Sequence, residues 1–297
     1  MKFRYALLSI ASAMLSAPAF AADPVRIGTG VTNGGYHLAG QMVAESLKYQ
    51  KVDSVVKTDL GGSWVNMKML IAGDLDFIIA QKEAQARANQ EQAVATRMSV
   101  EIVGNAIPEL VTFICKREGY KSFSDFVKAV KGGKGILAVG GADSGAALVL
   151  RNIMRSNPDI EIRGDRLKYV KGVEAVSTGE ADCAIVAAVP DAPDYETARA
   201  NSKILHIVNF DVGSVIDPNT GKAFYSEIVV RPENMPGLAD EGRFSNNTKS
   251  LAAFSAFYVR KQLDPTLKAK LAQAVTALQS NNDFADITPG WFRKLVK

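Results

Sequence analysis

Histidine and cysteine are scarce in this chain of 297 residues: His37 and His206 are its only histidines, Cys115 and Cys183 its only cysteines. No pair among them has the spacing of a zinc site, so neither a metal nor a cofactor is expected. A Ser-His-Asp hydrolase is disfavoured by the same shortage, and neither Ser63 nor Ser144 lies in a G-x-S-x-G elbow. No G-K-[ST] follows a glycine run, and Gly28-x-Gly30 is followed at the third place by Asn33, so the P-loop and the dinucleotide fingerprint both fail. A basic stripe is missing too. Lysines and acids are interspersed along the helical stretches, which excludes a nucleic-acid partner. The longest apolar run near the start, Tyr5 to Leu15, is well short of the roughly 20 residues of a spanning helix.

That run follows Lys2 and Arg4 and leads to Ala19-Phe20-Ala21 before Ala22. The order is that of a secretory signal peptide, here residues 1–22, and it directs the mature chain to the periplasm. The two cysteines then meet an oxidising compartment, where one disulfide is possible. Both lie inside apolar runs, Val111 to Lys116 and Asp182 to Val189, and unpaired cysteine is commonly buried; the pair reads as buried free thiols, with a bridge as the alternative.

From Val25 onward short apolar runs alternate with helical stretches. Strands are expected at Val25–Gly30, Ser54–Leu60 and Asp76–Ala80, and helices at Tyr36–Tyr49, Ser63–Ala72 and Lys82–Gln92. The same grammar restarts after residue 110, with strands at Ile136–Val139, Leu167–Val170 and Cys183–Ala188 and helices at Ser122–Val130, Ser144–Met154 and Val173–Thr178. Strands alternating with helices give an α/β fold of two lobes, each a mostly parallel sheet flanked by helices. The apolar stretch Glu101 to Lys116, with Pro108, reads as a crossover strand serving both. Beyond Lys203, strands are expected at Ile204–Phe210, Phe224–Arg231 and Leu251–Arg260, with a turn at Pro218-Asn219-Thr220-Gly221 and a helix opened by Pro265. Lobe I is expected to comprise residues 23–110 and 208–297, and lobe II residues 111–207.

In open parallel sheets ligands bind beyond the carboxyl ends of the strands. Three glycine-rich turns fall there: Gly28 to Tyr36, Gly61 to Trp64, and Gly140 to Gly145. Each leads into a helix, with Ser63 and Ser144 as N-cap residues, and helix N-termini facing one cleft favour an anion. Thr32, Gly35, Tyr36, Gly62, Ser63, Trp64, Gln81, Asp143, Ser144 and Gly145 are the candidate ligand contacts. Tyr36 and Trp64 would wall the site, and Gln81, just past a strand end, would offer an amide. Asp74 and Asp76 precede their strand and so lie at the opposite edge, where a turn role is expected.

These turns resemble the TAXI family of receptors for TRAP transporters. The matching pieces are Thr29 to Tyr36, Gly61 to Met67, Ala72 to Gln81, Pro108-Glu109 and Ala138 to Gly145. Gly35-Tyr36-His37-Leu38 stands where the family tends to have Thr-Tyr-Tyr-Pro, and Ser144-Gly145-Ala146 where it has Ser-Gly-Thr. The resemblance implies a type II periplasmic binding protein; the few crossover segments near Pro108 and Lys203 lead us to expect a monomer, and the missing motifs no catalytic activity. It would close by hinge motion on a small anionic solute, an amino acid such as glutamate or an organic acid, and dock on TRAP membrane subunits. Glu109, Asp143 and Asp191 are candidate partners for an ammonium group. The alternatives are a secreted hydrolase on the same fold and a receptor feeding a signalling protein.

Overall fold

One continuous mixed sheet runs through both lobes of the computed structural model, which describes residues 23–91, 99–217, 220–239 and 248–296. The signal-peptide run, Gln92, and Pro218-Asn219 of the expected turn lie outside the described residues. In the first lobe β1 (Val25–Gly28) lies between β2 (Ser54–Lys57) and β3 (Phe77–Gln81), all parallel. In the second, β5 (Leu137–Ala138) lies between β6 (Leu167–Lys168) and β7 (Cys183–Ala188), also parallel. Two long antiparallel strands join them: β4 (Val100–Lys116), as expected of the crossover segment, and β10 (Thr248–Arg260). At about 3.3 Å per residue these strands are roughly 55 and 40 Å long, enough to cross from one lobe to the other. β8 (Leu205–Val208) pairs with β4, and β9 (Ser226–Val230) with β10.

The β4–β10 register shifts between Phe254 and Ala256, opposite Asn105 to Pro108, and again between Phe257 and Tyr258, opposite Ile102 to Gly104. Pro108 has no N–H for the ladder, which makes a bulge the natural outcome there. Buried Ser255 fills the gap: its Oγ donates to the Ile107 carbonyl at 2.6 Å and accepts the Ile107 N–H at 3.1 Å. The two lobes therefore meet at an irregular but satisfied crossing.

Alternation along β4 divides the second lobe's core. Val111, Phe113 and Cys115 face the layer of α4 (Phe123–Lys131) and α5 (Gly145–Ser156), where Phe113, Phe123, Phe126 and Phe210 stack and cross. Leu110 and Ile114 face α6 (Gly172–Thr178), α7 (Pro193–Ala200) and Phe292 of α9 (Gly290–Leu295). In the first lobe α1 (Gly35–Tyr49) and α8 (Pro265–Ser280) cover one sheet face through Val43, Leu47 and Leu271. On the other face α2 (Ser63–Ala72) and α3 (Lys82–Glu91) pack through Trp64, Met67, Leu70 and Ala84. Ser122 caps α4, its Oγ accepting the Asp125 N–H at 3.1 Å.

One expectation is corrected. Cys115 and Cys183 are disulfide-bonded, not free thiols, because β4 and β7 place them directly opposite each other with Cα atoms 4.1 Å apart. Phe210, Val212, Val215, Tyr225 and Leu251 pack into the core around Phe113. β8 causes this, since it pairs with the second-lobe half of β4.

Candidate functional site

Between the lobes, beyond the carboxyl ends of β1, β2, β5 and β7, lies a cavity of about 330 Å3. Five helices begin at its wall: α1 at Gly35, α2 at Ser63, α5 at Gly145, α6 at Gly172, and α7 just after Ala192. Their first-turn N–H groups and aligned dipoles give the space a positive rim, to which Lys171 adds the one cationic side chain. Val31, Ile107, Ala187 and Val189 supply an apolar wall.

The lobes touch beside this cavity. Gly62 has φ of +109°, and a Cβ there would meet Ser144 Cα at 2.8 Å, so only glycine allows the approach. A Cβ on Gly145 would meet Gln81 Nε2 at 2.5 Å. The Trp64 N–H donates to the Asp143 carbonyl at 3.3 Å, and Arg151 and Arg155 of α5 reach Glu91 and Gln90 of α3.

Three charged side chains line the cavity. Glu109, on β4 and buried, accepts from Gln81 Nε2 at 2.7 Å and from the Tyr36 hydroxyl at 2.9 Å, both on one oxygen. Burial pushes its carboxyl up to about 7 against the pull of those two hydrogen bonds. Burial also raises the Tyr36 phenol, with Glu109 adding to the shift. Asp194, in the first turn of α7, is raised by burial and opposed by Lys171. The site thus joins one cation, two carboxyl groups that resist ionisation, and several helix N-termini.

Of the candidate contacts, Gly35, Tyr36, Gly62, Ser63, Ser144 and Gly145 are brought together on the cavity wall. Gln81 stands behind it and donates to Glu109. The other three are elsewhere. Thr32 is exposed, its hydroxyl donating to Asp59 at 2.6 Å and its N–H to the same carboxylate at 3.2 Å. Trp64 is buried in the first lobe's core under the Arg87 guanidinium, 4.3 Å from the ring centroid. Asp143 turns outward and pairs with Lys68 at 2.9 Å and Arg87 at 3.7 Å. Asp191 also faces solvent, 3.8 Å from Arg199.

Ser63 is not an N-cap. Gly62 holds that position, and Ser63 Oγ accepts the Gln81 N–H at 3.2 Å. Ser144 is the cap of α5: its Oγ accepts the Ala147 N–H at 3.2 Å and donates to the Val139 carbonyl at 2.8 Å. Neither serine is bonded to a histidine, and among the described residues no group of three or more His, Cys, Asp or Glu could hold a metal.

Asp76 does more than close a turn. Buried at the amino end of β3, it bonds the Arg26 backbone N–H at 3.0 Å, Arg26 Nε at 2.8 Å and Nη2 at 2.9 Å, and also Arg260. Burial raises its carboxyl, but these hydrogen bonds prevail and hold it at about 2. Lys171 and Asp194 were missed from the sequence. Each follows a strand and opens a helix, the rule that located the other three turns, but neither turn carries the paired glycines that drew attention to those.

A family model described as NMT1-like matches residues 27–291, nearly the whole described chain. The chain belongs to the NMT1-like family. No curated protein sequence matches it. Among solved structures it is similar to one titled a periplasmic transporter, at TM-score 0.55 and 13% identity, covering 91% of this chain and 87% of that one. A putative L-cystine ABC transporter protein from Listeria monocytogenes aligns at TM-score 0.51 and 15% identity over 90% and 94% of the two chains. XAC2383 from Xanthomonas citri, bound to ATP, aligns at 0.50 and 14% over 89% and 86%. At these identities the likeness establishes the fold, that of type II periplasmic solute-binding proteins.

Proposed function

We propose that this NMT1-like protein is the periplasmic receptor of a TRAP-type transporter. It captures a small carboxylate-bearing solute in the cleft, by hinge closure of the lobes, and delivers it as a monomer to the membrane subunits. One observation carries the reading: helix N-termini from both lobes converge on one cavity beside the buried carboxyl of Glu109. At about 330 Å3 the cavity is near the lower end of the usual range for ligand pockets, about 300 to 1,000 Å3, which suits a small solute. The helix N-termini and Lys171 would receive a carboxylate. Glu109 and Asp194 would receive an ammonium, and this favours an amino acid over a simple organic acid, which would bring a second anion to two carboxyl groups. Gly35, Tyr36, Gly62, Ser63, Ser144 and Gly145 would contact the solute, with Gln81 orienting Glu109. Secretion through residues 1–22 agrees with the Cys115–Cys183 disulfide, since such bridges persist in oxidising compartments.

Mass spectrometry of the solute that copurifies with the protein, followed by thermal-shift titration of amino acids and dicarboxylates, tests this. A true ligand raises the melting temperature by mass action. The reading fails if only uncharged compounds do so.

A further inference from the structure

Glu83 is the second residue of α3, directly behind the cleft, and it does not line the cavity. It is 1% exposed, and both carboxyl oxygens are inaccessible and without a hydrogen-bond partner among the described residues. Lys82, its neighbour in the chain, is the one cation among the described residues whose charge pulls its carboxyl down, and it does so without forming an ion pair. On the packed elements, Lys68 of α2 pairs with Asp143, Arg151 and Arg155 of α5 reach Glu91 and Gln90, and Arg260 of β10 pairs with Asp76. The adjacent Lys82 places its ammonium over the Phe254 ring, at 6.0 Å. The remaining titratable groups near Glu83 are Tyr36, Tyr225, Tyr258 and Glu109, and the last is a second acid.

The cover over Glu83 comes from both lobes. Tyr258, on the first lobe's sheet, has a buried hydroxyl without a partner. Tyr225 packs in the second lobe's core, and its hydroxyl accepts from Asn152 of α5 at 3.4 Å. That hydroxyl neighbours Glu83 without reaching hydrogen-bonding geometry. A carboxylate so enclosed has lost its water, and its own backbone N–H, the Tyr225 hydroxyl and Lys82 return only part of that stabilisation, so the neutral acid is the form that fits. Separating the lobes withdraws Tyr225 and α5 and readmits water.

We infer that closing the cleft takes up one proton from solvent at Glu83, so that solute capture strengthens as pH falls through the neutral range. The inference rests on the hinge-closure reading. Burial, opposed by the Glu83 backbone N–H, the Tyr225 hydroxyl and Lys82 and assisted by Glu109, pushes the enclosed carboxyl up to about 8, whereas a hydrated glutamate has a pKa of about 4.3. Between those values the closed form holds a proton that the open form lacks.

The test uses the full mature chain and a mixture of the proteinogenic amino acids as probe. Calorimetry at about pH 7, in two buffers of different ionisation enthalpy, is expected to read roughly one more proton taken up by the wild type than by Glu83→Gln. Equal proton counts overturn the proposal. X-ray scattering separates the two readings. If the mixture compacts both proteins equally at about pH 6 and pH 9, the hinge stands and the proton linkage fails. If neither pH nor solute changes the radius of gyration, the hinge itself has failed and the linkage with it. Carbon-13 NMR of the glutamate carboxyls needs no Glu83 variant. Two resonances should remain protonated near pH 6 in the compact protein and Glu109→Gln should remove one; loss of the only such resonance overturns the inference.

Discussion

The two ends of β3 treat their acids in opposite ways. At the amino end Asp76 is wrapped by Arg26 and Arg260 and stays ionised down to about pH 2. Beyond the carboxyl end Glu109 and Glu83 are buried with too few donors and shift towards the neutral form, to about 7 and about 8. Asp76 and Gln81 are only five positions apart, so the contrast is not one of composition. A satisfied carboxylate serves stability; an under-partnered one is left with interaction capacity for a proton or a ligand.

The largest expected effect comes from breaking the satisfied end. Asp76→Ala strands two guanidinium groups against a half-dry sheet edge, and it should cost about 3 kcal/mol in urea denaturation while leaving solute affinity unchanged. Because the folded state holds this carboxyl below its ordinary value, its contribution is present above about pH 4 and is lost as pH falls towards 2. An affinity loss as large as the stability loss would erase the distinction between the two ends.

Glu109→Gln attacks the other end and should do the reverse. If an ammonium meets Glu109, affinity falls by about 1.5 to 3 kcal/mol, the range for a hydrogen bond to a charged group. Stability moves the opposite way with pH. The raised carboxyl supports the fold below its unfolded value and loses that support as pH rises through about 7, so the variant should lack the wild type's decline between about pH 4.5 and 7. Denaturation at several pH values reads the stability change, and calorimetric titration the affinity.

The contrast was half legible beforehand. Strand, turn and helix alternate so regularly that β3, α3 and the crossover strand were placed within a residue or two, and with them Gln81 at the cleft and Asp76 away from it. Side-chain direction was not legible. Thr32 and Asp143 lie on the right turns but face Asp59 and Lys68, because a turn's rotation is set by partners distant in sequence. The disulfide depended on the β4–β7 register, which apolar runs do not specify. Gly62 displaced Ser63 as N-cap because the opposite lobe's backbone passes too close for any side chain.

Ser144→Ala is expected to be milder than either acid substitution. Its hydroxyl is already occupied by the Ala147 N–H and the Val139 carbonyl, so the main loss is a helix cap, about 1 kcal/mol of stability. Affinity should fall several-fold at most, through a less ordered α5 N-terminus. A loss of 100-fold would mean that the hydroxyl turns to the solute and that the cleft-end serines, like Glu109, keep their capacity for the ligand.

The smallest effect should come from Asp143, which behaves as a weak copy of the Asp76 arrangement carried across the two lobes. Lys68 and Arg87 of the first lobe meet this second-lobe carboxylate at 2.9 and 3.7 Å, but all three side chains are partly in water. An exposed pair of this kind gives about 0.2 to 1 kcal/mol, against about 3 for the buried one. The pair spans the cleft, so its energy is available only while the lobes touch, and it should be read in solute affinity more than in folding stability. Asp143→Asn is therefore expected to weaken binding about two- to five-fold with little change in melting temperature of the solute-free protein. Raising the salt concentration should narrow the gap between wild type and variant, because screening removes from the wild type what the substitution has already removed. A salt-independent loss of more than tenfold would instead put Asp143 in contact with the solute and return it to the cleft, beside Glu109.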